Sequence, residues 1–218
     1  RRSSDLVSGL GQYFGNLEEA QDAAQNFQTR TIAQAQRLQQ VEQLTQENAQ
    51  LRQLLALRAQ MAGPSQAVEV LYDTTDPYTD RIVVDRGQIG GIVQGAAVID
   101  AGGVVGQVTR VYPLVSEVTL LTDRDQSIPV MNARTGSRHV AMGDPSMPGG
   151  ALELKFVPAS TDVKQGDLLT TSGIDGVYPP GLHVGTVSQI DRRVDSSFAR
   201  VHATPAAKAR GRHLLVLM

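Results

Sequence analysis

Four histidines, one serine in a glycine-rich turn and one pair of aspartates are the side chains whose types and spacing could do chemistry. A zinc site or a general base would need imidazoles converging on one face, or beside Cys or Glu at metal-ligand spacing. His139, His183, His202 and His213 have no such spacing, and the chain has no cysteine. They read as surface or strand residues. Ser172 in TTSGIDG lacks the G-x-S-x-G setting of a nucleophile elbow and reads as a turn hydroxyl. Asp123 and Asp125 in LTDRDQS have the spacing of a metal-binding pair. Arg124 stands between them and the apolar EVTLL precedes them, which favours a polar turn. Neither G-x-G-x-x-G nor G-x-x-x-x-G-K-[ST] occurs. No catalytic residue, metal or cofactor is expected, and the chain does not read as an enzyme.

Composition narrows the classes further. The 218 residues carry 20 Lys+Arg against 22 Asp+Glu, so no basic footprint for nucleic acid is present. Tryptophan is absent and aromatics make up 4%, which argues against stacking platforms for bases. No apolar run approaches the length needed to span a bilayer. The opening RRSSDLVSGLGQYFG is interrupted by Gly9, Gly11 and Gly15, so residues 1–16 are expected to be a linker.

The elements that would position any site fall into two kinds. Residues 17–63 are rich in Gln, Ala, Leu, Glu and Arg and should be helical, ending at Gly63-Pro64. Within VEQLTQENAQLRQLL a heptad reading places Val41, Asn48 and Leu55 at a, with Leu44 and Leu51 at d. One polar residue at a costs stability but selects register and a two-stranded coil. Glu47 at g and Arg52 at the following e suit a parallel homodimer. The seam lasts about two and a half heptads, and an amphipathic helix packed on its own domain remains the alternative. After Pro64, short Val/Ile/Leu/Thr runs alternate with glycine-rich turns, the signature of an all-β sandwich or barrel.

The β region also repeats. QGAAVI at 94–99 aligns with QGDLLT at 165–170, and GGVVGQV at 102–108 with GLHVGTV at 181–187. Gly95 and Gly166 head the two copies, Gly106 and Gly185 sit inside strands, and Gly173 and Gly181 lie in turns. Glycines so placed mark turns and bulges of the kind small barrels need. Two small packed β-barrel-like modules are therefore expected, at 64–147 and 148–218, with MGDPSMPGG as the boundary loop. The last strand could instead return to the first module. The insertion TSGIDGVYPPG puts Tyr178, Pro179, Pro180 and Leu182 around a rigid turn. That suits a partner contact, or a hairpin whose tyrosine covers a barrel end.

A stalk carrying LTQENAQLRQLL, then GGVVGQVTRV with VTLLTDRDQSIPV, then QGDLLTTSGIDGVYPPGLHVGTV, resembles the bacterial rod-shape-determining MreC family from about residue 40 onward. The resemblance implies a non-catalytic periplasmic scaffold of the cell-elongation machinery, held in the inner membrane by a segment absent from this chain. It also implies a helix-mediated homodimer with higher self-assembly, and a class B penicillin-binding transpeptidase as partner. A small integral membrane protein and an actin-like cytoskeletal protein would complete the machinery. No motif of the resemblance assigns contact residues. A periplasmic adaptor of a transport system, and an envelope hydrolase acting through Ser172 or the Asp123/Asp125 pair, are the rival classes.

Overall fold

The computed structural model describes the backbone of residues 3–61, 63–74, 79–147, 150–193, 196–207 and 211–218, with side chains from Gln28 onward, Gln60 excepted. The chain divides into two units, residues 1–49 and 50–218. Helix α1 runs Ser3–Gln60, 58 residues, or about 87 Å at 1.5 Å per residue. It starts well before the expected position, inside the segment read as a linker. Single glycines weaken a helix by only about 1 kcal/mol each, and the good helix formers around Gly9, Gly11 and Gly15 outweigh that.

Among the described residues twelve strands follow, and they close into two six-stranded antiparallel barrels. The first contains β1 (Ser65–Asp73), β2 (Arg81–Val84), β3 (Ala97–Asp100), β4 (Gly103–Val111), β5 (Ser116–Leu120) and the final strand β12 (His213–Leu217), in the order β1-β12-β3-β4-β5-β2. The second contains β6 (Ser127–Asn132), β7 (Arg138–Asp144), β8 (Ala151–Pro158), β9 (Leu168–Thr171), β10 (His183–Asp191) and β11 (Phe198–Pro205), in the order β10-β11-β8-β7-β6-β9. The boundary expected at 147/148 is thus corrected. It falls between Leu120 and Ser127, because β6 and β7 pair with strands of the second barrel. The strands on either side of the expected boundary, β7 and β8, pair with each other inside the second barrel, and β12 does return to the first module, pairing with β1 and β3.

The repeat has a structural meaning. In β3–β4 the pairing shifts between Val98↔Gly106 and Ile99↔Val104, leaving Val105 as an extra residue. In β9–β10 it shifts between Leu169↔Gly185 and Thr170↔His183, leaving Val184 extra at the aligned position. A second pair of bulges matches as well, at Thr109 in β4–β5 and Ser188 in β10–β11. Matching strands around these fixed points gives β12 and β6 the same place in the two barrels. One is the last strand of its barrel in sequence and the other the first, so the barrels are circular permutants of each other.

Alternating burial fills the first barrel with Val68, Ile82, Val84, Val98, Val108, Val118, Leu214 and Val216. The opposite faces of its strands supply Ala97, Ile99, Val104 and Leu215 to a second cluster. That cluster also holds the interior of the second barrel and Leu54 of α1, with Leu57 and Met61 packed against it. The barrels and the last turns of α1 therefore share one apolar core. Contact at the joint is close: a Cβ on Gly103 (φ 144°) would lie 2.0 Å from the carbonyl oxygen of His183.

Candidate partner-binding surface

Several of the side chains that could have done chemistry are engaged in structure. Asp123 is fully buried, and its carboxylate accepts from the backbone N–H of Asp80 (2.7 Å) and Asp125 (2.8 Å), with Arg81 Nε at 4.0 Å. It ties the segment between the barrels to the start of β2. Ser172 Oγ donates to the Pro129 carbonyl (3.3 Å), a turn hydroxyl in fact. His139 lies 3.0 Å from Ser137 Oγ, and burial lowers its pKa. The four histidines sit on four different strands, His139 on β7, His183 on β10, His202 on β11 and His213 on β12. Among the described residues no three His, Cys, Asp or Glu converge as a metal site.

The expected contact at Tyr178 is overturned by its burial. Its ring is 3% exposed and belongs to the core cluster of the second barrel, with Gln126 Nε2 donating to its hydroxyl at 3.3 Å. The apolar surroundings push the phenol well above its ordinary pKa. Asp175 holds the turn by accepting from the N–H groups of Val177 and Tyr178. Pro179 and Pro180 are exposed, while Leu182 is half-buried against the same core. A turn with its aromatic folded inward cannot anchor a partner by that ring.

The glycines singled out by the repeat lie at two kinds of position. Gly95 (φ 89°), Gly166 (φ 90°), Gly173 (φ 73°) and Gly181 (φ 86°) are left-handed. At Gly106 and Gly185 a Cβ would lie 2.0 and 2.6 Å from the carbonyl oxygens of Thr119 and Thr204. Arg134, just after β6, ties that strand's end to the segment leading into β9. It bonds Asp167 through Nε (2.7 Å) and Nη2 (2.8 Å) and Asp162 through Nη1 (2.7 Å), which holds the Asp167 carboxyl far below its usual range.

A surface that the repeat did not reveal lies on β8 and β11. Pairing shifts between Ala199↔Val157 and Val201↔Leu154, so Lys155 and Phe156 together oppose Arg200. Phe156 sits in this bulge at φ 56°, the one non-glycine residue with positive φ among those described. Its ring is 80% exposed, and it meets the 54%-exposed Phe198 edge-on, with centroids 6.5 Å apart and planes at 81°. Val140 of β7, 40% exposed, pairs with Lys155 on the adjoining strand. A left-handed non-glycine residue costs roughly 1–2 kcal/mol. Leaving a phenylalanine outside forgoes roughly 1.5–3 kcal/mol of burial. The sister pair in the first barrel, β2–β5, runs Arg81↔Thr119 to Val84↔Ser116 without a shift. Closing the barrel therefore does not require the bulge. Strain and an exposed aromatic pair at a departure from the shared plan make this a candidate surface.

On α1 the heptad positions stand open. Val41 and Leu44 are exposed in the first unit, and Leu51 and Leu55 in the second, along with the polar Asn48 and Arg52 and the partly covered Glu47. Near the end of the helix Leu54, Leu57 and Met61 turn toward the barrels. Residues 51 and 55 lie about a quarter-turn away on the helix surface. One face of the last turns thus holds the chain's own core while the seam face remains uncovered.

A family model described as rod shape-determining protein MreC, barrel core, matches residues 70–218. The chain belongs to the MreC family. It is 32% identical over 214 residues to cell shape-determining protein MreC of Escherichia coli, covering 98% of this chain and 58% of that protein. Against the Haemophilus influenzae protein it is 39% identical over 178 residues, 81% of this chain and 50% of the relative. This chain thus spans only 50–58% of these relatives' length. A solved MreC structure superimposes with a TM-score of 0.75 at 38% identity, covering 80% of this chain and 99% of that one. The Pseudomonas aeruginosa MreC crystal structure gives 0.68 at 37%, covering 71% and 99%. A Helicobacter pylori MreC solved in complex with penicillin-binding protein PBP2 shares the fold at 0.55 and 15% identity, over 71% of this chain and 97% of that one. The family assignment sets the transport-adaptor reading aside.

Proposed function

We propose that this MreC-family chain is a non-catalytic scaffold of the cell-elongation machinery. The surface around Phe156 and Phe198 holds a class B penicillin-binding transpeptidase in the periplasm. The observation that carries this reading is the bulge at Phe156, which spends stability to present an aromatic pair that the sister barrel lacks. The existence of a complex between H. pylori MreC and PBP2 supports the choice of partner. The uncovered seam at Val41, Leu44, Asn48, Leu51 and Leu55 supports parallel homodimerisation through α1, which places two such surfaces in one assembly. Tethering two sites raises avidity for clustered transpeptidases without any new contact. An inner-membrane anchor preceding the helix, a small integral membrane partner and an actin-like protein on the cytoplasmic side complete the proposed arrangement. By favouring one conformation of the transpeptidase, such a scaffold would raise its activity by population shift.

The test is binding of the full chain to the cognate transpeptidase ectodomain by interferometry, with Phe198→Ala beside the wild type. Saturable binding weakened at least tenfold by Phe198→Ala, with an unchanged melting temperature, is expected. Equal affinities would remove the aromatic pair from the contact.

A further inference from the structure

We propose that the partner face meeting Phe156 and Phe198 is apolar at its centre and presents carboxylates at its edge, opposite Arg200 and Arg138. This rests on the transpeptidase reading above and specifies the chemistry of that partner. The geometry of the bulge drives the argument. Lys155 and Phe156 both lie opposite Arg200, so a partner that buries the Phe156 ring brings its edge beside Arg200. An arginine at the edge of such a contact is best matched by a carboxylate, which steers association and takes up its fork of donors.

Among the described residues the nearby carboxylates do not fill that need. Glu153 is occupied by Lys155. Asp191 lies across the strand pair from Arg200, yet no ion pair within 4.0 Å joins them. Asp144 accepts from the N–H and hydroxyl of Ser146 at the other end of β7. Arg192 turns instead to the carbonyls of Thr161 and Val163. Arg138 opens β7 as an exposed residue, two positions before Val140. Among the described residues no carboxylate pairs with Arg138 or Arg200. An apolar centre of Val140, Phe156 and Phe198 edged by two unpaired arginines is the make-up of an interface core with a charged rim.

Charge at a rim acts mainly on association rate and salt dependence, whereas apolar anchors act on dissociation. The experiment measures both rates for the full chain on immobilised transpeptidase ectodomain at low and physiological salt. The variants are Arg138→Glu/Arg200→Glu, the milder Arg138→Ala/Arg200→Ala, and Phe156→Gly. The expected result is wild-type association that slows as salt rises, a roughly tenfold slower association for the double reversal, and a smaller loss for the double alanine. Phe156→Gly should raise the dissociation rate and leave the salt dependence in place. Phe156→Gly weakening binding while both arginine doubles match wild type at every salt would overturn this inference and leave the transpeptidase reading standing. Absence of wild-type binding would overturn both.

Discussion

Replacing Phe156 with glycine separates presentation from folding, because the two point in opposite directions at this residue. At φ 56° the phenylalanine holds a conformation that costs a non-glycine residue roughly 1–2 kcal/mol and costs glycine almost nothing. Losses work against that gain. The ring is 80% exposed, so about a fifth of a burial worth roughly 1.5–3 kcal/mol disappears, about 0.3–0.6 kcal/mol. The edge contact with Phe198 removes about 0.5 kcal/mol more, the low end for an exposed pair. Added freedom of the unfolded chain offsets roughly another 0.5–1 kcal/mol. These contributions cancel to within about 1 kcal/mol, so the melting temperature should move by no more than about 4 °C. Phe156→Ala keeps the strained backbone and loses the ring, and should be about 1 kcal/mol less stable than Phe156→Gly. Both should weaken transpeptidase binding by about 2 kcal/mol, roughly thirtyfold in Kd, as loss of an aromatic anchor does. Thermal melts and interferometry on the full chain measure the two sides. A fall in melting temperature above about 10 °C for the glycine variant, or an unchanged Kd, would refute the reasoning.

Other expectations are as direct. Asn48→Leu should raise the thermal stability of the coil and loosen its preference for two strands; sedimentation showing an unchanged monomer for both proteins would remove the seam. Gly106→Ala should cost about 3 kcal/mol or more, since the new Cβ would meet the Thr119 carbonyl at 2.0 Å, and chemical denaturation would read it. Tyr178→Ala should cost roughly 3–5 kcal/mol through a cavity in the second barrel, and a melting curve near wild type would return that ring to the surface. Asp167 is held below its unfolded pKa by Arg134, so its contribution is present above about pH 4 and lost as pH falls through the folded value. Asp167→Asn should therefore flatten the acid limb of stability against pH, and an unaltered limb would show that other carboxylates govern it.

The two kinds of element were legible because each rests on local periodicity. A 3.5-residue apolar repeat survives in 41–55, and Val-rich runs between glycines announce short strands. The repeat was legible too, since Gly95/Gly166 and Gly106/Gly185 mark aligned turns and close approaches. What it could not give was the assignment of strands to barrels. A circular permutation keeps local motifs intact and moves one strand to the other end of the chain, so β6 and β12 look unrelated in sequence. Tyr178 misled because a tyrosine before two prolines looks the same whether the turn folds it in or out. Phe156 left only a faint trace. In LELKFVP the alternation Leu152, Leu154 calls for an inward residue at 156, yet Val157 takes the inner place. Two apolar residues in succession after strict alternation are the mark of that bulge, and no glycine advertises it.

Hydrogen exchange on the full chain with and without the transpeptidase ectodomain tests the central claim most directly. Protection gained in the β8 and β11 peptides around Phe156 and Phe198, with the Tyr178 turn and the first barrel unchanged, is the predicted result. Protection confined to α1 or to the first barrel, with β8 and β11 exchanging as before, would contradict it.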